Sequence, residues 1–252
     1  MKTVGIIPAR YASTRFPGKP LAQLAGRPII QHVYERVLQA SSIDRAVIAT
    51  DDERIAEAAR RFGAEVAMTA ADHPSGTDRC AEVAAGLPAE SIVVNVQGDE
   101  PFISPRQIDR VVTPLVENNL PISTLAKRIQ QREALFNSNV VKVVVGKKGR
   151  ALYFSRSTIP HLRGIPPEQW LEHAVFLKHI GLYGFQRDSL LEVVSLPRGQ
   201  YEQAESLEQL RWLEAGYPIH VLETTEETLG IDTPEDLEKA AVIYQNQNPN
   251  TP

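Results

Sequence analysis

Short apolar runs alternate with segments of helical periodicity over the first 125 residues, and this alternation constrains the fold more than any other feature. The apolar runs lie at 3–7, 45–50, 64–68 and 91–97, and the periodic segments at 28–40, 53–62 and 77–87. A continuous apolar run of this length is typical of a strand that is buried on both faces. Strands separated by helices of about ten residues imply right-handed crossover connections. We therefore predict an α/β fold, doubly wound around a mostly parallel, Rossmann-like sheet.

The pattern changes after about residue 121, where strand signals follow one another with few helices between them. These signals lie at 122–129, 140–145, 151–155 and 179–185. The segment 146–149, which a glycine bounds at each end, is typical of a hairpin turn. We predict an antiparallel β insert at about 130–200, carried by a single domain that spans 1–252.

Helical periodicity returns in the last quarter of the chain, and we predict one helix over 202–215. A strand is predicted at 218–222. Thr233 and Pro234 then supply an N-cap and a first-turn proline, which predict the start of the last helix.

The charge and cysteine content exclude several classes of protein. The formal net charge is −4 and the pI is about 5.9, which argues against a nucleic-acid partner because such binding needs a basic face. Cys80 is the single cysteine, so no intramolecular disulfide can form, and a reducing, cytoplasmic location is expected. No stretch approaches the roughly 18 apolar residues that a membrane span requires, so we expect no membrane association.

A long loop with three cationic residues follows the first strand. It runs from Pro8 to Pro20 and contains Arg10, Arg15 and Lys19. Ligands of doubly wound sheets bind beyond the carboxyl ends of the strands, and fixed cations with free backbone N–H groups suit a triphosphate. The loop matches neither the dinucleotide fingerprint nor the P-loop. The alternative interpretation is a solvated basic loop without a ligand.

The sequence HPSGTDR at 73–79 places small and hydroxyl residues at the predicted start of a helix. The backbone N–H groups and hydroxyls around Ser75 and Gly76 could bind an anion or the edge of a base. The alternative is an ordinary helix cap in which Ser75 or Thr77 serves as the N-cap.

Two aspartates follow predicted strands that are far apart in the sequence. Asp99 lies in the segment NVQGDEP, directly after a buried strand, and Asp232 lies in GIDTPED before the last helix. Mg²⁺ prefers one or two carboxylates together with phosphate oxygens and water, so the pair predicts a magnesium site. Taken singly, Asp99 could be a turn residue and Asp232 could belong to a helix cap.

Several motifs together carry a resemblance over roughly residues 2–242. They are IIPARYASTRFPGKPL, HPSGTDR, NVQGDEPFI, SRSTIP, HIGLYGF, ESLEQLRWLEAG and GIDTPEDLE. In this order they resemble the 3-deoxy-manno-octulosonate cytidylyltransferase (CMP-Kdo synthetase) family. The resemblance implies a nucleotidyltransferase that joins CTP to the acidic sugar Kdo, giving CMP-Kdo and pyrophosphate for lipopolysaccharide biosynthesis. It also implies a Mg²⁺ cofactor and a homodimer formed through the insert.

The same resemblance implies roles for individual residues. Asp99 and Asp232 match the metal carboxylates, and two ions are plausible. Arg10, Arg15 and Lys19 would neutralise the phosphates, and Arg10, Lys19 and the two aspartates form the implied catalytic set. The residues implied at the cytidine are Ala9, Ser75 and Gly76, with Gln97 near the ribose or the sugar. The implied Kdo-binding set is Arg156, His179, Tyr183, Glu208 and Gln209, with Arg156 as the partner of the sugar carboxylate.

Rival interpretations remain open from the sequence. The nearest is a cytidylyltransferase for another acid sugar, such as an 8-amino analogue of Kdo or a sialic acid. A glycosyltransferase of similar sheet topology is less favoured, because no D-x-D pair follows a predicted strand. A non-catalytic nucleotide sensor is the alternative from another functional class.

Overall fold

A computed structural model describes residues 2–13 and 15–247; Met1, Thr14 and residues 248–252 lie outside this range. The strands are β1 (Thr3–Ala9), β2 (Gln23–Leu24), β3 (Arg27–Pro28), β4 (Arg45–Thr50), β5 (Glu65–Met68), β6 (Ile92–Asn95), β7 (Ile122–Arg128), β8 (Lys142–Val145), β9 (Ala151–Ser155), β10 (Leu177–Gln186) and β11 (Ile219–Glu223). The helices are α1 (Ile29–Leu38), α2 (Glu53–Arg61), α3 (Gly76–Ala85), α4 (Pro105–Glu117), α5 (Arg132–Phe136), α6 (Trp170–His173), α7 (Arg187–Ser195), α8 (Gln200–Glu205), α9 (Gln209–Glu214) and α10 (Pro234–Gln247).

One large sheet organises the molecule. Its main path runs β11-β7-β10-β6-β1-β4-β5, with β8 and β9 attached beside β10. Strands β6, β1, β4 and β5 pair in parallel, and β11 pairs in parallel with β7. Strand β10 is antiparallel to both of its neighbours, β6 and β7. The predicted α/β class, with a mostly parallel sheet and antiparallel strands, is confirmed.

Helices cover both faces of this sheet, as double winding requires. Successive residues of a strand point to opposite faces. Ile7 accordingly packs with the apolar sides of α1, α2 and α4, whereas Ile6 packs with those of α3, α7 and α9. Both side chains are fully buried. The central strands therefore read as continuous apolar runs because both of their faces lie in a core.

The antiparallel strands within 130–200 belong to the main sheet. Strands β8 and β9 form the expected hairpin, and its turn lies between Val145 and Ala151. Strand β10, in contrast, lies in the middle of the main path, between β6 and β7. The reason is that its alternate residues fill both cores: Ile180 packs on the face of α4 and Phe185 on the face of α7.

The single helix expected over 202–215 is wrong, because two helices occupy these residues. Helix α8 ends at Glu205, Ser206 adopts a left-handed conformation with φ of 51°, and α9 begins at Gln209. Serine is uncommon in this region of backbone conformation, so helical periodicity alone does not predict the break. The break turns Glu208 toward the start of α3, where it takes part in the site described below.

The last helix begins as predicted. The Asp236 N–H donates to the Thr233 hydroxyl, and the Thr233 N–H donates to the Asp236 carboxylate, which is a reciprocal cap. Among the helices that the structure describes, none is both long and apolar enough to cross a bilayer.

Candidate active site

Three parallel strands end side by side at one edge of the sheet. In the register, Ala9 lies beside Thr50, and Ile6 lies beside Asn95, so the carboxyl ends of β1, β4 and β6 are adjacent. A cleft of about 250 Å³ opens at this edge. Its lining comes from the loop after β1, the start of α3, the segment after β6 and the residue Asp232: Pro8, Ala9, Arg10, Ser13, Arg15, Lys19, Pro20, His73, Pro74, Ser75, Gly76, Arg79, Gln97, Gly98, Asp99 and Asp232. All the residues that the sequence predicts for CTP and metal binding lie in this one cleft.

The loop after β1 closes on itself and so directs Lys19 into the cleft. The Gly18 N–H donates to the Tyr11 carbonyl oxygen over 2.9 Å. Gly18 has a φ of +71°, and a Cβ there would lie 3.1 Å from the Tyr11 ring. Both facts explain the glycine at this turn. The solvated-loop interpretation does not describe Lys19, whose side chain is only 13% exposed.

The Lys19 ammonium lies between the two predicted metal carboxylates. Its Nζ is 2.5 Å from an Asp99 oxygen and 3.3 Å from an Asp232 oxygen. The Arg15 guanidinium is 3.2 Å from the same Asp232 oxygen, although both of these side chains are at least half exposed. Two carboxylates that are far apart in the sequence thus converge on one cationic position.

Backbone contacts bring these two aspartates together. The Ile231 N–H donates to the Asp99 carbonyl oxygen over 2.9 Å, which places Asp232 beside Asp99. A Cβ on Gly98 would lie 2.9 Å from the Pro8 carbonyl oxygen, so only glycine lets the segment after β6 pass this close to β1. Burial, together with the Asp99 charge, raises the pKa of the adjacent Glu100 to about 8.

The donor set at this position fits a hard divalent cation that also has a phosphate ligand. Within the described residues no three carboxylate, histidine or cysteine side chains form a complete metal cage. Asp99 and Asp232 supply two carboxylates, and Mg²⁺ commonly takes one or two of these with phosphate oxygens and water as the other ligands. The lysine between them shows that a positive charge is stable at this point.

Ser75 has both of the roles that its sequence context allows. Its hydroxyl accepts from the Asp78 N–H over 3.2 Å, which makes it the N-cap of α3. It also lines the cleft, together with Gly76. Capping and ligand binding are therefore compatible at this residue, because the first turn of α3 faces the cleft.

Glu208 joins the start of α3 to the opposite side of the site. Its carboxylate accepts from the Thr77 hydroxyl over 2.7 Å and lies 3.0 Å from the Ser75 hydroxyl oxygen, which is also 2.5 Å from an Asp78 carboxylate oxygen. The Arg211 guanidinium donates to the Glu208 carboxylate over 3.1 Å. Burial raises the pKa of Glu208, while the two hydroxyls and Arg211 oppose that increase.

His179 and Tyr183 lie on β10, on the same face of the sheet as Glu208. Their ring centroids are 5.2 Å apart. Burial lowers the pKa of His179 to about 3, so the imidazole is neutral at physiological pH. Burial and the Glu208 charge raise the pKa of Tyr183, whose buried hydroxyl has no hydrogen-bond partner among the described residues.

Arg156 follows β9 and reaches the loop between α8 and α9. Its Nε donates to the Glu205 carbonyl oxygen over 2.7 Å, and a terminal nitrogen donates to the Ser206 carbonyl oxygen over 3.3 Å. The predicted sugar residues therefore form a face that adjoins the cleft through Glu208. Gln209, the remaining member, is buried at the start of α9.

The comparisons with known proteins decide the family. The sequence pattern of the family described as Cytidylyltransferase matches residues 4–224. The chain is 51% identical to the 3-deoxy-manno-octulosonate cytidylyltransferase of Parabacteroides distasonis, covering 98% of this chain and all of the relative. It is 50% identical to the enzyme of the same name from Geobacter metallireducens, covering 95% of this chain and 96% of that one.

The chain belongs to the 3-deoxy-manno-octulosonate cytidylyltransferase family. A solved structure of CMP:2-keto-3-deoxy-manno-octonic acid synthetase in complex with CTP superposes with a TM-score of 0.91, at 44% identity and over 98% of this chain and all of that one. The 4-diphosphocytidyl-2C-methyl-D-erythritol synthase of Anaerococcus prevotii gives a TM-score of 0.63 at 13% identity, over 97% of this chain and 96% of that one, which shows the shared fold alone. The chain is accordingly a nucleotidyltransferase.

The structure of this cytidylyltransferase also reveals site residues that the sequence reasoning missed. Arg79 is 4% exposed, lines the cleft and pairs with Asp51 at 2.9 Å. It ends the HPSGTDR motif, which was the available signal. Asn95 and Thr124 lie beside the predicted sugar residues on neighbouring strands. Neither carried a signal, because a polar residue within a buried strand does not indicate what it contacts.

Proposed function

We propose that the cleft binds CTP and that Kdo binds on the adjoining face, so that the anomeric hydroxyl of Kdo attacks the α-phosphate in line. The products are CMP-Kdo and pyrophosphate, and CMP-Kdo serves lipopolysaccharide biosynthesis. The observation that carries this proposal is the contact of Glu208 with Ser75 and Thr77. It supports one continuous site for the predicted nucleotide and sugar residues instead of two separate sites.

The nucleotide end of the site would act mainly through charge. Nucleotidyl transfer depends on positioning and on neutralising the phosphates, with little covalent chemistry for the protein to perform. Arg10, Arg15 and Lys19 line the cleft and would hold the β- and γ-phosphates and then the departing pyrophosphate. Ala9, Ser75 and Gly76 would border the cytidine, with Gln97 toward the ribose.

Asp99 and Asp232 would hold Mg²⁺. The bound ion would neutralise phosphate charge and lower the pKa of the attacking hydroxyl. Lys19, already placed between the two carboxylates, would keep them together before the nucleotide arrives. The carboxylate pair and the cationic loop thus prepare the position of the triphosphate.

The sugar end would recognise an acid with several hydroxyl groups. Arg156 has further N–H groups beyond those that it donates to the Ser138, Glu205 and Ser206 carbonyls, and these could bind the sugar carboxylate. Arg156→Ala should therefore raise the KM for Kdo more than the KM for CTP. An unchanged KM for Kdo would contradict this role.

The decisive experiment is to measure pyrophosphate release from CTP and Mg²⁺ with and without Kdo. Release that depends on Kdo supports the proposed reaction. Competition with the 8-amino analogue and with a sialic acid then ranks the acid sugars. If the chain binds CTP but releases no pyrophosphate with any one of the three sugars, the result would instead support the nucleotide sensor.

We also propose a homodimer in a cytoplasmic setting. Strands β8 and β10 border an apolar groove of about 590 Å³, which Val144, Val175 and Leu177 help to line. Val175, just before β10, is 56% exposed, and Leu152, on β9, is 63% exposed. Burying these side chains against a second copy would remove apolar surface from water. Light scattering should give about twice 27.9 kDa for the native chain and close to 27.9 kDa for Val175→Asp; a native mass near 28 kDa would contradict the proposal.

A further inference from the structure

The Thr124 hydroxyl lies among three hydrogen-bonding partners at the irregular part of β10. The pairing of β10 with β7 shifts register between Ile180 and Tyr183, so the ladder is locally irregular at this point. The Thr124 Oγ1 is 2.8 Å from the Leu182 carbonyl oxygen and 3.1 Å from that of Ile180. It is also 3.0 Å from the Nε2 of His179.

The tautomer of His179 follows from the number of protons that Thr124 and its three partners can donate. A hydroxyl has one proton to donate, whereas a carbonyl oxygen can only accept. If Thr124 gave its proton to His179, both carbonyl oxygens would face its oxygen at hydrogen-bond distance with no proton between them. The Thr124 proton must therefore go to the Ile180 or Leu182 carbonyl. Its oxygen then accepts from Nε2, which must carry the imidazole proton.

The other ring nitrogen follows from the charge state of the imidazole. Burial keeps the pKa of His179 near 3, so the ring carries one N–H in total. With that proton on Nε2, Nδ1 holds a lone pair and can only accept a hydrogen bond. Nδ1 has no hydrogen-bond partner among the described residues, and the side chain is partly open to solvent.

We propose that Thr124 is a positioning residue, whose hydroxyl holds His179 in the Nε2–H tautomer so that Nδ1 accepts a hydrogen bond from a hydroxyl group of the sugar. This inference rests on the proposed placement of the sugar at His179. Two residues would then recognise different chemical groups of the sugar. Arg156 can bind a carboxylate because it donates, whereas His179 in this tautomer would repel a carboxylate and selects the polyol part of the substrate.

The first test needs no substitution. Two-bond proton–nitrogen correlation spectra of the ¹⁵N-histidine-labelled chain distinguish a protonated ring nitrogen from a bare one. The resonance of His179 is identified by its loss in His179→Gln. We expect Nε2 to be protonated and Nδ1 to be bare; the reverse pattern would overturn the proposal irrespective of any activity measurement.

The second test uses three variants of β7. Thr124→Val keeps the shape of the side chain but removes the hydroxyl, and Thr124→Ser restores the hydroxyl. Ser123→Ala is the matched control, because Ser123 is a buried neighbour on the same strand whose hydroxyl donates to the Val111 carbonyl oxygen instead. The control tests whether loss of any buried hydroxyl in β7 has the same effect.

For Thr124→Val we expect a mixed or reversed tautomer and a roughly tenfold higher KM for Kdo, about the scale of one hydrogen bond. The affinity for CTP, measured by calorimetry without Kdo, should not change. Thr124→Ser should restore both the spectrum and the KM, and Ser123→Ala should alter neither. An unchanged tautomer in Thr124→Val, or an unchanged KM for Kdo despite an altered tautomer, would overturn the inference. Absence of Kdo-dependent pyrophosphate release from the native chain would instead refute the proposed function, and the tautomer measurement would still stand.

Discussion

The Thr77 hydroxyl donates to the Glu208 carboxylate over 2.7 Å, and this bond joins the first turn of α3 to the start of α9. Helix α3 lines the predicted nucleotide cleft, whereas Glu208 belongs to the predicted sugar residues. Ser75 contacts the same carboxylate, so two residues of the HPSGTDR motif contact one acidic side chain. The two substrates of this family should therefore be coupled through Glu208.

Replacing Glu208 by glutamine tests this coupling. Glu208→Gln keeps the shape but removes the charge and one acceptor, so the Thr77 or the Ser75 hydroxyl loses its contact with a carboxylate at this position. We expect the KM for Kdo and the Kd for CTP each to rise roughly tenfold, since hydrogen bonds to charged groups contribute about 1.5–3 kcal/mol. Arg156→Ala should change the Kdo constant alone. The exposed Glu172→Gln is the control, and a normal Kd for CTP in Glu208→Gln would contradict the coupling.

The carboxylate pair at Lys19 gives a second prediction. Asp99→Asn removes a charge that Lys19 contacts at 2.5 Å and that would hold Mg²⁺. We expect turnover to fall by at least about a hundredfold, the scale on which charge stabilisation supports a transition state. The circular dichroism spectrum should match that of the native chain, because Asp99 is at the surface of the cleft. Near-normal Mg²⁺-dependent activity in Asp99→Asn would contradict the proposed role of Asp99 as a metal ligand. Full activity of the native chain after chelation of divalent ions would contradict it as well.

A buried lysine supports the loop that carries Arg156. Lys142 is fully buried, and its ammonium donates to the carbonyl oxygens of Asn137, Val140 and Arg156 at 3.0, 2.7 and 2.5 Å. Burial lowers its pKa, and the nearby Glu205 charge opposes this effect. The three N–H groups of the ammonium are thus all used.

Lys142→Met should destabilise the protein by about 3 kcal/mol, because it leaves three carbonyl oxygens without their donor. Urea unfolding measures this loss. The exposed Lys147, in the turn after the same strand, provides the control variant Lys147→Met, which should change stability by less than about 0.5 kcal/mol. Equal stability of the two variants would show that the ammonium has no net stabilising role.

The parts of the fold that the sequence predicts are those in which a local pattern matches the tertiary environment. Strand β4 has the predicted bounds because its residues face a core on both sides. The helix predicted over 202–215 was wrong because apolar spacing continues through Ser206, while the backbone does not. The central position of β10 depends on long-range pairing with β6 and β7, which no local pattern specifies.

The residues of the candidate site likewise fall into those that the sequence predicts and those that it does not. Lys19 and Asp99 were both predicted for the ligand site because each follows a strand of the predicted sheet, and ligands of such sheets bind beyond the carboxyl ends of the strands. Thr124 was missed because its part in the site arises from a register shift in β10 opposite it. A shift of this kind depends on how two distant strands pair, so neither strand's own sequence indicates it.

The depressed pKa of His179 predicts how stability depends on acidity. Burial lowers this pKa to about 3, against the ordinary histidine value of about 6.5 in the unfolded chain. Between these values the unfolded state binds one more proton at this residue than the folded state does. The contribution of His179 to the free energy of unfolding therefore increases with pH over this window, and it is progressively lost as the pH falls below 6.5.

Comparison of the native chain with His179→Gln at two pH values isolates this contribution, because glutamine does not titrate. The free energy of unfolding in urea should be measured for both proteins at pH 7.5 and at pH 4.5. Only the two pH units from 6.5 down to 4.5 lie within the window. They correspond to a change of at most about 2.7 kcal/mol in the free energy of unfolding, and partial solvent access reduces this value. On acidification the native chain should therefore lose more stability than His179→Gln, by about 1–2 kcal/mol. An equal loss in the two proteins would show that the imidazole accepts a proton in the folded state as readily as in the unfolded chain.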